Sequence, residues 1–330
     1  MKTFLAPLLE GFFTQRLLQE MDASPQTVQA YRDAFRLMLD YASRRLRKAP
    51  SALLLTELDA PFIGQFLGHL EKERGNGART RNARLAALRS FFRYVGPREP
   101  AHTDLVRRVL AMPQKRCDRH VVAFLTPEEV RALLAAPDRT TWLGRRDHAL
   151  LTFAVETGLR VSELVGLTAD QLSLGRGAHV RCRGKGRKER VTPLTRATSK
   201  MLLGWTRALG SESETRVFPS RRGGPLSRDA VERLVRAHAT RAAENCASLR
   251  GKRVSPHVLR HTTAVQLLRA GVDRSVIALW LGHESVETTQ IYVDADLSIK
   301  EAALAKIAPA PTRHRRYRPS DSLIAFLSAL

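Results

Sequence analysis

Two arginines and a histidine occupy positions from which they could bind and activate a phosphate group. Arg160 follows a glycine turn in the segment ETGLRVSEL, and Arg260 lies three residues after His257 in PHVLRH, which places that pair on one face of a helix. Ser255 is the expected N-cap of this helix, so its backbone N–H groups would also attract an anion. Two guanidinium groups can clamp the non-bridging oxygens of a phosphodiester and stabilise the charge of its transition state.

A lysine, a second histidine and a tyrosine supply the remaining groups of such a reaction. Lys185 lies between two glycines at the expected tip of a hairpin, from which it could protonate a leaving 5′-oxygen. His283 ends one predicted helix, and Tyr292 follows nine residues later on the next, where its phenolic oxygen could form a covalent intermediate. As a set, these residues predict metal-free cleavage of a phosphodiester by a tyrosine nucleophile.

Each of these residues also has an ordinary structural interpretation when it is considered alone. An arginine after a helix-ending glycine is commonly a surface ion-pair partner, and a tyrosine in an amphipathic helix usually belongs to the core. His257 and His261 are four residues apart and could ligate zinc. The residues between them lack the glutamate of the HExxH motif, and no third ligand is evident in the sequence.

The lysine and the nucleophile each have a rival in the sequence. Lys188 lies on the same predicted hairpin as Lys185, but Lys185 is better placed to reach a phosphate because it stands between the glycines of the tip. Tyr317 is the rival of Tyr292, but it lies in a basic, proline-flanked linker with no predicted helix to fix its direction. We therefore prefer Lys185 and Tyr292.

A β-hairpin and a series of helices are predicted to position these side chains. Residues 178–182 and 187–194 are typical of two strands around the glycine-flanked tip. A capping box at residues 126–129 begins the helical region that contains the other groups, and residues 1–95 have helical patterns throughout, including an N-cap followed by proline at Ser24–Pro25. The expected fold is mainly α with a small β-sheet or hairpin in the catalytic domain (α+β).

Composition divides the chain into two domains, a linker and a tail. Residues 1–96 are predicted to form a helical DNA-binding domain, and residues 97–122, which contain three prolines and several cations, a linker with one short helix. Residues 123–310 form the predicted catalytic domain, and residues 311–330 a basic linker with an apolar tail helix. A helix as short as residues 322–330 is marginal in water, so we expect it to dock on its own domain or on a neighbouring copy.

A large excess of positive charge points to a polyanionic partner. The chain of 330 residues has 55 Lys and Arg against 32 Asp and Glu, which gives a formal net charge of +23 and a pI near 11.1. Arginine predominates, and its planar guanidinium matches phosphate oxygens in pairs. We therefore expect nucleic acid as the partner. The expected DNA-binding residues are cations of the third predicted helix and of the hairpin: Arg79, Arg81, Arg84, Arg89, Arg187 and Lys188.

Secretion, membrane spanning and a disulfide framework are not expected from this composition. The sequence has no apolar run as long as the roughly 18 residues that a membrane helix requires, and Pro7 and Glu10 interrupt the apolar opening segment. The three cysteines are far apart and form no CxxC motif, which fits a reducing cytoplasm. Neither a metal nor a cofactor is expected.

Four motifs resemble the tyrosine recombinase (phage integrase) family, in particular its Xer-like members: TGLRVSEL, RGKGRKERVTPL, HVLRH and LGHESVETTQIY. The resemblance covers about residues 125–305, and the helical N-terminal region resembles the SAM-like core-binding domain of the family less specifically. HTTAVQLL after Arg260 departs from the usual Ser-Phe-Ala-Thr stretch. The resemblance implies attack by Tyr292 to give a 3′-phosphotyrosyl link and a free 5′-hydroxyl, with five assisting residues: Arg160, Lys185, His257, Arg260 and His283.

The resemblance also implies an assembly and a biological role. Two-domain, C-shaped clamps would form a homo-oligomer, with four protomers on two DNA recombination sites and the tail helix passed to the next protomer. Strand exchange would need no ATP, and no membrane partner is expected. Accessory recombinases or DNA-bending proteins would be further partners. The expected role is integration or transposition of a mobile element, or resolution. Two alternatives stay open: a catalytically silent DNA-binding protein of the same fold, and a type IB topoisomerase.

Overall fold

The chain forms two units that are mainly helical, as the sequence predicts. The computed structural model describes residues 2–117, 122–184, 189–210 and 216–282. The units are Met1–Arg119 and His120–Leu330, and the second contains a three-stranded antiparallel sheet. The predicted fold class, mainly α with a small sheet in the second domain, is therefore confirmed. In the described part of the chain, no helix is long and apolar enough to cross a membrane.

The described part of the first unit consists of helices joined by short turns. They are α1 (Leu5–Gly11), a π-helical segment (Phe12–Glu20), α2 (Pro25–Leu46), α3 (Ala60–Lys72), α4 (Ala78–Val95) and α5 (Thr103–Ala111), with 3-10 turns at Pro50–Ala52, Leu55–Glu57 and Pro100–His102. Helix α2 begins as predicted, because the Ser24 side chain accepts a hydrogen bond from the Thr27 N–H and Pro25 takes the first helical position.

Aromatic side chains join the helices of the first unit in one core. Phe12 contacts Phe35 of α2 and Phe91 of α4, with ring centroids 6.1 and 5.5 Å away, and all three are buried. Val106 and Val109 of α5 belong to the same core. The sequence places the end of this domain at residue 96, but the packed unit extends further because α5 buries its apolar face there.

The described part of the second unit consists of seven α-helices and three short strands. They are α6 (Pro127–Ala135), α7 (Trp142–Thr157), α8 (Val161–Gly166), β1 (Leu172–Ser173), β2 (His179–Arg183), β3 (Glu189–Pro193), α9 (Arg196–Leu209), α10 (Arg228–Asn245), α11 (Pro256–Arg269) and α12 (Arg274–Leu281), with 3-10 turns at Ala169–Gln171 and Ala247–Leu249. The predicted capping box begins α6, since the Thr126 hydroxyl and the Glu129 carboxylate each accept the other residue's backbone N–H.

The sheet contains both arms of the predicted hairpin. Strands β2 and β3 pair antiparallel, with Val180 opposite Thr192 and Cys182 opposite Arg190. Val180, Cys182 and Thr192 are buried, so this face of the hairpin packs on the unit. The additional strand β1 pairs with β2. Residues 185–188, which include the second half of the predicted tip (residues 183–186), lie outside the described residues.

Helix α7 is the central helix of the second unit. Leu150, Leu151 and Phe153 are almost fully buried there, and the helix contacts α6, α9 and α11. Because α7 is fixed on several sides, its C-terminal end has a defined position in the unit. That end leads directly into α8, whose N-cap is a predicted site residue.

Candidate active site

Gly158 directs the chain from the end of α7 to Arg160. The glycine is the C-cap of α7 with φ of 62°, a left-handed conformation that disfavours side chains. A Cβ at this position would lie 2.6 Å from Leu281 Cδ2 and 3.2 Å from Thr263 Cβ. The glycine therefore allows α7 to end in close contact with α11 and α12, and Arg160 becomes the N-cap of α8.

The guanidinium of Arg160 is held at two points. Its Nη2 donates to the Gly282 carbonyl at 2.7 Å, and its Nη1 donates to Glu163 Oε1 at 3.2 Å. The backbone N–H of Arg160 also donates to Glu163 Oε2 at 2.8 Å. The side chain nevertheless remains 29% exposed, so a ligand can reach part of the guanidinium.

Arg260 is more deeply buried and reaches the same place from α11. Its Nη1 donates to the Gly158 carbonyl and its Nη2 to the Leu281 carbonyl, both at 2.6 Å, and the residue is 6% exposed. Since Leu281 and Gly282 are adjacent, the two predicted arginines bind neighbouring carbonyl groups. The tertiary structure therefore brings Arg160 and Arg260 together, as phosphate clamping requires.

The histidines of α11 differ in exposure. Ser255 caps the helix as predicted, accepting a hydrogen bond from the Val258 N–H, and His257 in the first turn is exposed. Burial, followed by the positive charges of His257 and Arg260, lowers the pKa of His261 to about 4. His261 is therefore neutral near pH 7. Within the described ranges, no three His, Cys, Asp or Glu side chains are grouped as a metal site.

Glu163 and Arg190 belong to this cluster although neither was among the predicted site residues. Arg190 of β3 donates from Nη1 to Glu163 Oε1 at 3.0 Å and from Nη2 to Oε2 at 2.7 Å. Burial alone would raise the pKa of Glu163, but the hydrogen bonds and charges of Arg190 and Arg160 hold it below its ordinary value. The one signal for Glu163 in the sequence is its spacing of three residues from Arg160, which places the two side chains near each other at the start of α8.

The C-terminal end of α12 is bound by three arginines from three other elements. The carbonyls of Trp280, Leu281 and Gly282 accept hydrogen bonds from Arg190 Nε at 3.1 Å, Arg260 Nη2 at 2.6 Å and Arg160 Nη2 at 2.7 Å, respectively. The last carbonyls of a helix lack partners within the helix and lie at the negative end of its dipole. Three cations therefore stabilise this helix end, and we call these three carbonyl groups the carbonyl triad.

Half of the predicted catalytic set lies outside the described residues, together with two predicted DNA-binding residues. These residues are Lys185, His283, Tyr292, Arg187 and Lys188. The described part of the candidate site thus consists of Arg160, His257 and Arg260 with Glu163 and Arg190.

The predicted DNA-binding arginines of α4 occupy two kinds of environment. Arg79 is exposed. Arg81 is 9% exposed and donates to the Pro113 carbonyl at 3.2 Å, Arg84 donates to the Ala30 carbonyl at 3.0 Å, and Arg89 donates to the Met112 carbonyl. The last three arginines therefore hold segments of the first unit together, a role that the sequence pattern did not predict.

Comparison with known proteins identifies the family. Residues 123–298 match the phage integrase family, and residues 11–98 match the phage integrase N-terminal SAM-like domain. The chain therefore belongs to the phage integrase family of tyrosine recombinases, enzymes that break and rejoin DNA. The resemblance that the four sequence motifs indicate is confirmed.

Individual relatives cover more than four fifths of the chain. It is 55% identical over 326 residues to the integrase/recombinase y4rC of Sinorhizobium fredii, covering 99% of this chain and 98% of that protein. It is 35% identical over 278 residues to tyrosine recombinase XerD of Haemophilus influenzae, covering 83% and 88%. The fold is similar to the post-cleavage complex of the XerH site-specific recombinase bound to palindromic difH substrate, with a TM-score of 0.67, 22% identity and coverage of 86% and 81%.

Proposed function

We propose that this enzyme is a site-specific recombinase that cuts and rejoins duplex DNA through a 3′-phosphotyrosyl intermediate formed by Tyr292. The observation that carries the proposal is the convergence of Arg160 and Arg260 on adjacent carbonyls, although 100 residues separate them in the sequence. Two guanidinium groups anchored on neighbouring carbonyls suit the binding of the non-bridging oxygens of one phosphate. The exposed His257, one helical turn before Arg260, suits a hydrogen bond to the same phosphate or a proton transfer.

The proposed reaction exchanges one phosphodiester for another. The phenolic oxygen of Tyr292 gives its proton to His257 and attacks the phosphorus, while the bond from phosphorus to the 5′-oxygen breaks and Lys185 donates a proton to that oxygen. Arg160 and Arg260 stabilise the added negative charge at the phosphorus. In the second step a 5′-hydroxyl of the partner strand gives its proton to Lys185 and attacks the phosphorus, while the bond from phosphorus to the Tyr292 oxygen breaks and His257 returns the proton to the phenol. Since the phosphodiester energy is kept in the protein–DNA link, the scheme requires neither ATP nor a metal.

We assign the recombinase to the integration or transposition of a mobile element, or to resolution. The higher identity to a protein named integrase/recombinase, 55% against 35% for a XerD protein, supports this role. The partner would be a double-stranded recombination site, bound by a homo-oligomer with four protomers on two sites. We assign the exposed Arg79 of α4 to contact with the DNA backbone. The other predicted DNA-binding arginines of this helix also hold segments of the first unit together.

The proposal can be tested by trapping the covalent protein–DNA adduct on DNA of random sequence. Purified protein is incubated with a library of random-sequence nicked duplexes, in which loss of a short strand after cleavage prevents religation, and protein-linked DNA is recovered and sequenced. We expect one recovered motif with the protein attached to a 3′-phosphate, and none with Tyr292→Phe, which should bind the motif as tightly as the wild type.

Three outcomes would contradict the proposal. Binding without any adduct indicates the catalytically silent protein. Relaxation of supercoiled DNA that lacks the recovered motif indicates a topoisomerase. An adduct that persists in Tyr292→Phe, or that maps to Tyr317, refutes the assignment of the nucleophile.

A further inference from the structure

We propose that Arg190 is a positioning residue that neutralises Glu163 and thereby keeps the guanidinium of Arg160 directed toward the DNA phosphate. The inference rests on the proposed function, because it concerns how Arg160 is presented to DNA. Arg190 lies on β3, the strand of the hairpin that follows Lys185 in the sequence. Its contacts therefore also join the hairpin to the cluster that contains Arg160 and Arg260.

The Glu163 carboxylate is shared unequally between two arginines. Arg190 binds both carboxylate oxygens, at 3.0 and 2.7 Å, in a forked arrangement that is the strongest geometry for this kind of pair. Arg160 makes one side-chain contact with the same carboxylate, at the longer distance of 3.2 Å. Arg190 therefore occupies the positions through which Glu163 would otherwise bind Arg160 more fully.

The exposed fractions of the three side chains also distinguish the pair of Arg190 and Glu163 from Arg160. The side chains of Arg190 and Glu163 are 9% and 8% exposed, whereas that of Arg160 is 29% exposed. Loss of the partner of a buried carboxylate strongly destabilises the fold, because the negative charge is then uncompensated away from water. If Arg190 is removed, the guanidinium of Arg160 is still in contact with Glu163. We expect this guanidinium to turn toward both carboxylate oxygens of Glu163 and away from the DNA phosphate.

Arg190 also holds the helix end to which Arg160 is anchored. Its Nε donates to the Trp280 carbonyl, and its Nη1 lies so near Gly282 that a Cβ there would be 2.9 Å away. Gly282 in turn provides the carbonyl that accepts from Arg160. Glu163 and Gly282, the partners of the Arg160 guanidinium among the described residues, are thus both in contact with Arg190.

A double-mutant cycle between positions 190 and 163 tests the proposal. Glu163→Gln keeps the shape of the side chain and an acceptor for the Arg160 N–H, but it removes the charge that would capture Arg160. With the nicked duplex recovered by the wild-type enzyme, we expect Arg190→Met to slow single-turnover adduct formation about 10²-fold, the usual cost of misplacing a reactive group. The Kd for the duplex should change less than about threefold, because other cations provide most of the backbone affinity.

The double variant gives the decisive comparison. Arg190→Met with Glu163→Gln should react about tenfold faster than Arg190→Met alone, a coupling that is typical of side chains in direct contact. Arg190→Lys should lie between the wild type and Arg190→Met, since it restores the charge without the fork. A double variant as slow as Arg190→Met, or slower, overturns the proposal.

Arg146 provides a matched control for the loss of a buried ion pair. It binds Asp147 at 2.7 Å, with side-chain exposures of 8% and 12%, in the same unit but outside the candidate site. Arg146→Met should lower the Tm as Arg190→Met does, because a buried carboxylate again loses one of two partners: Asp147 keeps the contact with His238 Nε2 at 2.8 Å. It should keep adduct formation within about threefold of the wild-type rate, because Arg146 lies outside the candidate site. Equal slowing by both variants would mean that Arg190 acts only through stability.

Crystal structures of the variants keep this test separate from that of the proposed function. If the wild type forms no adduct, the proposed function fails, but the position of Arg160 can still be measured without DNA. We expect the guanidinium of Arg160 to bind both Glu163 oxygens in Arg190→Met, and to keep its wild-type position in the double variant. An unchanged Arg160 in Arg190→Met overturns the inference.

Discussion

At the scale of single residues, the arginines of this enzyme differ mainly in what their guanidinium groups already bind. Arg81 is nearly buried and donates to a backbone carbonyl, whereas Arg79, two positions earlier on the same helix, is exposed. An exposed cation is available for a phosphate at little structural cost. A cation that already holds two chain segments together contributes to stability first.

Arg79→Ala and Arg81→Ala should therefore have different effects. For Arg79→Ala we expect a change of unfolding free energy within about 0.5 kcal/mol and a salt dependence of DNA binding reduced by about one ion. Arg81→Ala removes the donor to the Pro113 carbonyl and should lower the unfolding free energy by about 1–3 kcal/mol. Chemical denaturation and titrations at several salt concentrations measure both quantities. An unchanged salt slope in Arg79→Ala would remove it from the DNA interface.

His261 should make the second unit sensitive to acid. Its pKa is lowered from 6.5 to about 4, so the unfolded chain binds a proton more readily than the folded one between these values. The contribution to stability is therefore complete above about pH 6.5 and is lost as the pH falls toward 4. At pH 7, the Tm of His261→Gln should be no higher than that of the wild type. On acidification, the Tm of His261→Gln should fall less than that of the wild type. Parallel thermal melts across this pH range test the difference, and identical pH profiles would contradict it.

At the scale of secondary-structure elements, tight turns determine how closely the helices of the site approach each other. Gly158 has a positive φ and also lacks room for a side chain, because Leu281 and Thr263 pack against it. Gly210, the C-cap of α9, has a similar φ of 67°, but no heavy atom of the described residues lies within 4 Å of the place that its Cβ would take. The two glycines therefore separate backbone strain from close packing.

Gly158→Ala should be more damaging than Gly210→Ala. We expect Gly210→Ala to cost about 1 kcal/mol of unfolding free energy from the left-handed backbone alone. Gly158→Ala adds a clash with Leu281 and should cost about 1–3 kcal/mol more. It should also slow adduct formation, because the Gly158 carbonyl accepts from Arg260. Denaturation and single-turnover assays on both variants test this, and equal losses would show that packing at Gly158 is unimportant.

Element boundaries that depend on local contacts could be predicted from the sequence. The caps at Ser24, Thr126 and Ser255 are confirmed because each joins a side chain to an N–H three residues on. Strand β1 was missed because its two residues are too few for an alternating pattern. The packing of α5 in the first unit was missed because prolines and cations around it are typical of linkers.

The site itself could be predicted only in part. The residue types and spacing of Arg160, His257 and Arg260 indicate phosphate chemistry, and the structure brings the two arginines together. The pair between Glu163 and Arg190 joins residues 27 positions apart on a helix and a strand, and no local pattern records such a contact. The carbonyl triad was equally hidden, since backbone groups have no signature in a sequence.

At the scale of the whole molecule, the charge of +23 favours assembly on DNA over assembly in free solution. Protomers that carry this excess repel one another until phosphates neutralise them. In the proposed oligomer, contacts between protomers would therefore act once DNA is bound and would be too weak to hold the free protomers together. The apolar tail at residues 322–330, which lies outside the described residues, is the candidate for such a contact.

Deletion of residues 320–330 should leave a folded monomer that binds a single site normally. We expect it to form fewer higher-order complexes on paired sites, because a head-to-tail contact that closes a ring is lost. Sedimentation of the full-length and truncated proteins on the same paired duplexes measures the difference. Unchanged higher-order complexes would show that the tail docks on its own protomer.

The carbonyl triad also has a consequence for how this enzyme family can vary. Arg190, Arg260 and Arg160 recognise main-chain oxygens at positions 280–282, and every amino acid provides such an oxygen. Substitutions at Trp280 and Leu281 are therefore constrained by packing alone, whereas Gly282 is constrained by its φ of 66° and by the nearby Arg190. Among related sequences we expect the arginines and this glycine to be retained together while the preceding helix changes. An alignment in which Arg190 varies independently of Glu163 would contradict that pattern of inheritance.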